Sequence, residues 1–247
     1  MKNIKLTVVI PAFNEADNLK KGALESVYQY LKNQKYSYEV LIVDDGSLDA
    51  TVTLVESVIK NMPGFRIVKN SHGGKAITVM SGLLMSNGEI ALFTDMDQAT
   101  PIDQIEKLLP KFEEGFDIVI GSRHGREGAP AIRKLMGWGF SVLRKLILGL
   151  PFADTQCGFK AFNKKSIQLI FPELLERWKK TGTSGAAVNA GFDVETLFIA
   201  RKKGLKIAEV PVDWRHVGTE RVQAVRDSLE ALKDMARIKI NDIQGKY

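Results

Sequence analysis

The stretch that decides the fold is Leu6-Thr7-Val8-Val9-Ile10, which is rich in β-branched residues and ends at Pro11. A short apolar run of this kind is typical of a buried β-strand. An apolar pattern of helical period follows from Asp17 to Lys32, and a second strand-like run covers residues 38–43. The first 43 residues therefore predict a βαβ unit, in which a helix joins two parallel strands.

The same alternation continues along the chain. Further strands are predicted at 65–69, 89–94 and 116–120, and helices at about 49–61, 75–86 and 102–113. The second half is less regular, with helices predicted at 131–150, 164–179, 192–203 and 220–240, strands at 159–162 and 206–210, and a loop at 181–191. Strands that alternate with helices predict a mostly parallel sheet with helices on both faces. No break in composition divides residues 1–247, so we expect a single α/β domain.

Composition limits the function classes only loosely. The 247 residues carry a net charge of +6, which favours an anionic partner. Cys157 is the only cysteine, so the fold cannot depend on an internal disulfide. No segment offers about 20 apolar residues without a charge, and no signal peptide precedes the first strand. We therefore expect a cytoplasmic protein.

Polar side chains follow four of the predicted strands, at the point where each strand ends. In a parallel sheet these ends lie along one edge, and ligands bind there. The residues concerned are Asn14 and Glu15, Asp44 and Asp45, Asp95 and Asp97, and Ser122 and Arg123. The sequence thus predicts a site in which carboxylates and an arginine from separate strands meet.

Asp95-Met96-Asp97 is the strongest candidate for a metal site. Residues two apart on an extended segment point the same way, and two carboxylates about 5 Å apart repel by roughly 3 kcal/mol at an effective dielectric near 20. A divalent cation removes that repulsion, and carboxylate oxygens suit Mg²⁺ or Mn²⁺. The alternative is a solvated acidic turn. Asp44-Asp45-Gly46-Ser47 is open to two interpretations as well: a tight turn, or a turn whose acids also bind a ribose or a base.

Three other classes fit less well. A dinucleotide-binding oxidoreductase needs G-x-G-x-x-G after the first strand, where this chain has Pro11-Ala12-Phe13-Asn14-Glu15. A P-loop protein needs an earlier glycine and a hydroxyl that His72-Gly73-Gly74-Lys75-Ala76 lacks. A nucleic-acid binder would not place carboxylates at three strand ends, since these would repel phosphate.

The combination of motifs resembles family 2 glycosyltransferases of GT-A fold. The resemblance rests on the runs Val9 to Glu15, Val43 to Ser47, Asp95 to Asp97 and Gly121 to Arg123. The run from Gly149 to Lys160, with Phe192-Asp193-Val194-Glu195 and Glu209-Val210-Pro211, is similar to the dolichyl- and polyprenyl-phosphate glucosyl- and mannosyltransferases. The resemblance covers nearly the whole chain in the expected order. It implies a GT-A, Rossmann-like domain whose residues 1–123 bind the nucleotide sugar and whose residues 124–247 face the acceptor and the membrane.

The resemblance also implies site residues. Asp95 and Asp97 would hold Mg²⁺ or Mn²⁺, with His216 as a third ligand or an exposed structural histidine. The nucleotide sugar would contact Pro11, Ala12, Phe13, Glu15, Val43, Asp44, Asp45, Lys75, Asp95, Met96, Arg123, Arg215 and Arg221. Where the family often has Gly-Lys-Gly, this chain has Gly73-Gly74-Lys75, so the assignment of Lys75 rests on a changed motif.

The expected chemistry follows from the acceptor. A phosphate monoester has a second pKa of about 6 and is anionic near pH 7, so it can attack the anomeric carbon without a protein base. Asp97 and Arg123 would then act by stabilising charge. If the acceptor is a hydroxyl instead, Asp154 and Asp193 are the candidate bases. For Asp193 the alternative is a carboxylate at a helix N-terminus, favoured by the helix dipole.

The predicted helix near 132–150 bears on the membrane. Arg133 and Lys134 lie eleven residues before Arg144 and Lys145, which is three turns plus about 20°, so we expect these four to share one side. With the apolar residues between them they indicate an interfacial helix. The alternative is an ordinary helix that buries its apolar side in the domain.

The sequence therefore predicts a hexosyltransferase, inverting as the resemblance implies, that acts on a polyprenyl or dolichyl phosphate. UDP-glucose is the preferred donor and GDP-mannose is the next choice. We expect a peripheral enzyme at the inner face of the membrane that binds no nucleic acid. A relative that glycosylates a saccharide or other hydroxyl is the alternative.

Overall fold

The computed structural model describes residues 3–123, 131–181, 191–215 and 224–247. Within these residues the strands join into one seven-stranded sheet. The strands are β1 (Leu6–Ala12), β2 (Tyr38–Asp44), β3 (Phe65–Lys69), β4 (Ile90–Thr94), β5 (Ile118–Arg123), β6 (Phe159–Asn163) and β7 (Ile207–Val212). Their order across the sheet is β3-β2-β1-β4-β6-β5-β7.

Helices connect most of these strands. They are α1 (Ala16–Lys20), α2 (Ala23–Leu31), α3 (Thr51–Ile59), α4 (Lys75–Leu84), α5 (Ile105–Glu113), α6 (Ala131–Leu148), α7 (Lys164–Thr181), α8 (Gly191–Lys202) and α9 (Ala224–Ile243). A 3₁₀ turn, Ile102–Gln104, precedes α5. Within the described parts of the chain, none of the helices combines the length and hydrophobicity needed to cross a bilayer.

The sheet is mostly parallel, which confirms the predicted fold class. β1 pairs in parallel with β2 and β4, β2 with β3, and β5 with β7. β6 is the exception, because it runs antiparallel between β4 and β5. The consequence is that the carboxyl ends of β3, β2, β1 and β4 lie side by side along one edge.

The core lies on both faces of the sheet, as period-two alternation requires. Val8 and Ile10 pack on one face with residues of α2, α3 and α5. Val9 packs on the other face with residues of α4, α7 and α8. There α4 approaches the sheet closely at Gly82, where a Cβ atom would lie 2.4 Å from Cγ1 of Val9.

The predicted helix from Asp17 to Lys32 is divided in the structure. It ends at Lys20 and restarts at Ala23, with Gly22 between them at φ +83°. Glycine adopts this left-handed conformation without the steric cost that other residues meet. The apolar period continued across the break, so periodicity alone could not locate it.

Helix α6 carries exposed apolar side chains next to an exposed lysine, but its neighbouring basic residues Arg144 and Lys145 differ in exposure. Lys145 is exposed, as are Val142, Leu143 and Leu146. Arg144 is only 3% exposed. Its guanidinium donates to the backbone oxygens of Phe152 and Ala153 and to the hydroxyl of Thr155. The prediction that Arg144 shares an exposed basic side is therefore wrong, because the segment after the helix covers it.

The α6 prediction also named residues at the start of the helix. The side chains of Arg133 and Lys134 lie outside the described residues. Phe140 is partly buried against the core, and Leu148 is buried within it. The alternative interpretation of a helix that buries apolar residues in the domain thus holds for part of α6.

Candidate active site

The predicted site residues lie along the carboxyl edge of the sheet. Phe13 follows β1, Asp45 follows β2 and Asp95 follows β4 directly, and they are joined by His72, a residue that was not predicted, in the loop after β3. The strand order places these four loops in the sequence β3, β2, β1, β4. Residues that are more than 80 positions apart in the chain therefore become neighbours.

The acidic end of this edge is formed by Glu15, Asp95 and Asp97, with Lys75 among them. Lys75 begins α4, and its Nζ lies 2.5 Å from Oδ1 of Asp95. Burial alone would lower the pKa of Lys75, but attraction to Asp95, Asp193 and Asp97 outweighs burial and raises it. Lys75 is therefore a permanent cation that neutralises one of the carboxylates.

The pKa values of the other two acids, Glu15 and Asp97, are raised by burial and by neighbouring carboxylates. Burial raises the pKa of Asp97, and the charge of Asp95 raises it further. Burial also raises the pKa of Glu15, with added repulsion from Asp97 and Asp95. Three carboxyl groups thus share one ammonium group, and the cluster has room electrostatically for another cation.

The backbone beside this cluster is unusual. Gln98 has φ +51°, which is rare for a residue other than glycine. Its amide nitrogen donates to the backbone oxygen of Asp95, whereas its Oε1 is buried without a hydrogen-bond partner. A buried oxygen without a partner is costly. Gln98 directly follows Asp97, one of the two acids that were predicted to hold a metal.

These residues fit a divalent cation whose coordination would be completed by the substrate. Among the described residues, no group of three or more His, Cys, Asp or Glu side chains is arranged to hold a metal ion. Mg²⁺ is, however, commonly bound by one or two carboxylates together with substrate phosphates rather than by an all-protein cage. Asp95 and Asp97 would supply two carboxylates of such a partial set of oxygen ligands.

A second lysine, Lys160, lies in β6 and is only 1% exposed. Its Nζ donates to Oδ1 of Asp193 at 2.6 Å and to the backbone oxygen of Cys157 at 2.5 Å. Between these residues Gly158 touches Asp95, since a Cβ atom on Gly158 would lie 2.1 Å from Oδ2 of Asp95. Gly158, which directly precedes β6, thus lies against Asp95, and Lys160 of β6 binds Asp193. Asp193, a candidate base, is held by an ammonium group.

Arg123, at the end of β5, forms a bidentate ion pair with Asp154. Nε of Arg123 lies 2.6 Å from Oδ2 of Asp154, and Nη2 lies 2.9 Å from Oδ1. Burial would raise the pKa of Asp154, but the hydrogen bonds and charge of Arg123 lower it to about 2. A carboxylate this acidic is a weak proton acceptor near pH 7. The assignment of Asp154 as a base stays a prediction, and its ion pair with Arg123 favours a role in holding that arginine.

The acids after β2 divide into two roles. Asp44 is 3% exposed, and its carboxylate accepts the backbone N–H groups of Gly46 and Ser47. The turn interpretation thus accounts for the Asp44 side chain, whereas its contact with the nucleotide stays a prediction. Asp45 instead reaches the next loop, where it accepts the N–H groups of Gly73 and Gly74.

Three further residues that were predicted to contact the nucleotide sugar have buried side chains. The side chains of Ala12, Val43 and Met96 are at most 2% exposed and belong to the core. Only their backbone atoms can reach a ligand at the edge. Pro11, by contrast, is partly exposed at the end of β1.

The remaining predicted residues come from the segment after β7. Arg215 is exposed, and its backbone N–H donates to the backbone oxygen of Ala99 at 2.8 Å. This bond brings Arg215 to the loop that carries Asp97. His216 and Arg221 lie outside the described residues.

Sequence reasoning missed three residues of this region. Lys160 was quoted only as part of a motif, although a lysine inside a short apolar strand is itself a signal of a buried partner. Gly158 is explained only by its contact with Asp95. His72 stacks on Phe13 with ring centroids 4.5 Å apart, a contact between two loops that chain order does not indicate.

Comparison with known families gives a direct match. The model of glycosyl transferase family 2 matches residues 7–171. The dolichyl-phosphate beta-glucosyltransferase of Dictyostelium discoideum is 33% identical, with 98% of this chain and 76% of the relative covered. The enzyme of that name from Saccharomyces cerevisiae is 33% identical, with 100% of this chain and 77% of the relative covered.

A solved structure shares the fold at lower identity. Glucosyl-3-phosphoglycerate synthase from Mycobacterium tuberculosis, in complex with Mn²⁺, UDP and glucosyl-3-phosphoglycerate, superposes with a TM-score of 0.63 at 19% identity. The match covers 98% of this chain and 79% of that one. The likeness extends over the whole seven-stranded domain and agrees with the GT-A fold expected from the sequence.

Proposed function

The chain belongs to glycosyl transferase family 2, and from that premise we propose that it transfers glucose from UDP-glucose to a polyprenyl or dolichyl phosphate. The observation that carries the proposal is the cluster of Glu15, Asp95 and Asp97 around Lys75 at the carboxyl edge of the sheet. Similarity to beta-glucosyltransferases over nearly the whole chain supports the sugar and the lipid acceptor.

In this proposal Asp95 and Asp97 hold Mg²⁺ or Mn²⁺ together with the donor diphosphate. When bound, the cation neutralises the diphosphate and makes it a better leaving group. Lys75 orients Asp95, and Arg123, fixed by Asp154, presents its remaining N–H groups to phosphate. Residues 1–123 bind the donor and residues 124–247 face the acceptor.

The chemistry needs no protein base. An oxygen of the acceptor phosphate forms the bond to the anomeric carbon, and the bond from that carbon to the diphosphate oxygen breaks with its electron pair. The acceptor is already anionic near pH 7, because its second pKa is about 6. The carboxylates of Asp154 and Asp193 are engaged by Arg123 and Lys160, which agrees with a reaction of this kind and with inversion at the anomeric carbon.

The test is a screen of UDP- and GDP-sugars with Mg²⁺ or Mn²⁺, each with and without polyprenyl phosphate. We expect release of UDP from UDP-glucose that depends on both the metal and the lipid phosphate, and that EDTA stops. Turnover with GDP-mannose alone would contradict the sugar assignment. Turnover with a saccharide acceptor but none with polyprenyl phosphate would favour the hydroxyl-acceptor alternative.

We further propose that the enzyme is peripheral and meets its lipid acceptor through α6, at the inner face of the membrane. Support comes from the adjoining exposed side chains of Val142, Leu143, Leu146 and Ile147 beside Lys145. Exposed apolar residues next to a basic one are typical of helices that lie in the headgroup region.

Leu146→Glu should weaken binding to vesicles that contain anionic lipid. Leu146 is 76% exposed, and inserting a leucine side chain contributes about 1.5–3 kcal/mol, so the partition coefficient should fall at least tenfold. Cosedimentation measures the effect. Leu48→Glu is the matched control, because Leu48 is 90% exposed but lies in the loop after β2 and not on α6. Equal binding of wild type and Leu146→Glu would contradict the assignment of α6.

A further inference from the structure

The segment between α6 and β6 is bound by two charged side chains to which the proposed chemistry gives no role. One of them is Glu209 of β7, whose carboxylate accepts two consecutive backbone N–H groups, from Ala153 at 2.9 Å and from Asp154 at 2.7 Å. Hydrogen bonds to a carboxylate are stronger than those between neutral groups. The backbone at Ala153 and Asp154 is therefore fixed to β7.

Arg144 of α6 binds the same segment through its carbonyl groups. Its guanidinium donates to the backbone oxygens of Phe152 and Ala153, and to the hydroxyl of Thr155 at 3.2 Å. A further hydrogen bond, to the hydroxyl of Ser141 at 3.2 Å, fixes the guanidinium to its own helix. An acid thus binds the N–H groups of the segment, and an arginine binds its C=O groups.

The burial of Arg144 is costly for the stability of the fold. The residue is 3% exposed, and among the described residues its Nε has no hydrogen-bond partner. Burial lowers the pKa of Arg144, and the charges that attract it are those of Asp154 and Glu209. An arginine nevertheless stays protonated in a protein. Because burying a charge with incomplete hydrogen bonding destabilises a fold, the arrangement indicates a role beyond packing.

Asp154 connects this segment to Arg123. Its backbone N–H is bound by Glu209, and its carboxylate accepts the backbone N–H of Gln156 and both prongs of the Arg123 guanidinium. Arg123 also donates its own backbone N–H to the same carboxylate at 3.1 Å. A shift of residues 152–154 would therefore displace the guanidinium of Arg123.

Arg123 belongs to the same group of charges as Lys75. Burial would lower the pKa of Arg123, but the hydrogen bonds and charge of Asp154 outweigh burial and raise it, and the charge of Asp193 adds to this effect. Asp193 also attracts Lys75. On another side, Cζ of Arg123 lies 5.8 Å from the ring centroid of Trp214. The position of Arg123 is thus a property of the candidate active site.

We infer that Arg144 and Glu209 are positioning residues for Arg123: together they fix residues 152–154, so that Asp154 holds the guanidinium where it meets phosphate. The inference rests on the proposed function, which assigns the phosphate contact to Arg123. Arg144 and Glu209 act through Asp154 and are not themselves catalytic residues. Because Arg144 lies on α6, hydrogen bonds join the helix assigned to the lipid to the arginine assigned to phosphate.

The test is a double-mutant cycle on kcat/KM for UDP-glucose in the presence of polyprenyl phosphate. Arg144→Met should lower kcat/KM by about a hundredfold, the size expected when a group at the reaction centre is displaced by about 1 Å. In an Arg123→Lys background, which keeps a charge but cannot form the bidentate pair, the same substitution should change kcat/KM by less than about twofold. A residue that only supports the fold would lower activity in both backgrounds.

Conservative variants give a second test that does not depend on the folding of Arg144→Met. Arg144→Lys keeps the charge and a donor for the carbonyl groups, so it should recover part of the lost activity. Glu209→Gln keeps one acceptor oxygen but removes the charge, and should lower kcat/KM by about tenfold. Asp117→Asn is the matched control and should leave kcat/KM unchanged, because Asp117 likewise accepts a backbone N–H, from Lys206 at 3.0 Å, but directly before the amino end of β5.

The position of Arg123 can also be measured without turnover. Its Nε–H donates to Asp154 at 2.6 Å, so the NMR signal of this group should be protected from exchange with water, and Arg123→Lys assigns the signal by removing it. In Arg144→Met and Glu209→Gln the signal should shift and exchange faster. In Asp117→Asn it should stay unchanged.

Two results would overturn the inference: an equal loss of kcat/KM from Arg144→Met in both backgrounds, or an unchanged Arg123 Nε–H signal in Arg144→Met and Glu209→Gln. Failure of the proposed function has a different signature. In that case the wild type releases no UDP from UDP-glucose with polyprenyl phosphate, while the Arg123 signal still responds to both substitutions. The positioning of Arg123 would then stand, and its phosphate contact would fall.

Discussion

Asp97→Ala is expected to lower kcat by about a thousandfold, the size expected when several kcal/mol of charge stabilisation are removed from the leaving group. Asp97 is the acid whose pKa is raised by burial and by the charge of Asp95. Its carboxylate is therefore kept at an electrostatic cost that a bound cation would relieve. Release of UDP from UDP-glucose in the presence of polyprenyl phosphate measures the effect.

Asp97→Asn removes the negative charge of residue 97 but keeps its hydrogen bond with the local backbone. Asparagine retains an oxygen that can accept the N–H of Ala99, which now donates to Oδ1 of Asp97 at 3.0 Å. A carboxyl group with a raised folded-state pKa loses stability as the pH rises through that pKa. At pH 7 the variant should therefore unfold at the same temperature as the wild type or higher, and it should still be inactive.

The control for these variants is Asp17→Ala. Asp17 is 89% exposed, and its ion-pair partner within the described residues is Lys20, at 3.7 Å. Its replacement should leave kcat, KM and the unfolding temperature unchanged. Wild-type turnover in both Asp97 variants would remove the metal from the proposed mechanism.

Asp154→Ala is expected to lower the free energy of unfolding by about 3–5 kcal/mol, because it leaves the charge of Arg123 without its partner. The side chains of Arg123 and Asp154 are only 21% and 10% exposed. An exposed pair should behave differently. Lys69 and Glu56 lie 2.6 Å apart with side chains more than half exposed, so Glu56→Ala should cost no more than about 1 kcal/mol. Urea unfolding at pH 7 compares the two variants.

The same ion pair predicts a loss of stability in acid. The pKa of Asp154 is lowered from 3.8 to about 2, which corresponds to about 2.5 kcal/mol. A carboxyl group with a lowered folded-state pKa contributes this stability above its unfolded pKa and loses it as the pH falls toward 2. Unfolding measured between pH 5 and about pH 2 should show a smaller loss in Asp154→Ala than in the wild type.

The double variant Arg123→Met with Asp154→Leu checks the origin of the effect. Replacing both members of a buried ion pair by apolar residues costs less than removing one of them. The double variant should therefore be more stable than Asp154→Ala, although inactive if Arg123 contacts phosphate. A cost below about 1 kcal/mol for Asp154→Ala would show that the pair is solvated and would contradict this account.

The local part of the fold was predictable because strand and helix patterns are properties of short segments. The third strand was predicted at 65–69 and is observed there. The position of the acids at strand ends was equally local. Where a single residue interrupts a pattern the prediction failed, as at Gly22, whose φ of +83° divides the first helix.

The prediction for Arg144 failed for a different reason. Helical period shows which residues share a side of α6, but not what covers that side. Arg144 is covered by the chain that follows the helix, where two carbonyl groups and a hydroxyl accept its hydrogen bonds. Burial of this kind depends on how elements pack, and no window of sequence contains it.

By itself, then, the amino-acid sequence determined the α/β class, the family and the presence of Asp95 and Asp97 at one strand end, since these follow from periodicity and motif order. Only the tertiary structure decided which charges neutralise which: Lys75 with Asp95, Lys160 with Asp193, and Arg123 with Asp154. The partners in each pair lie 20 to 33 positions apart. They meet because the packing of strands, helices and loops brings distant parts of the chain together, and Coulomb attraction depends on distance in space.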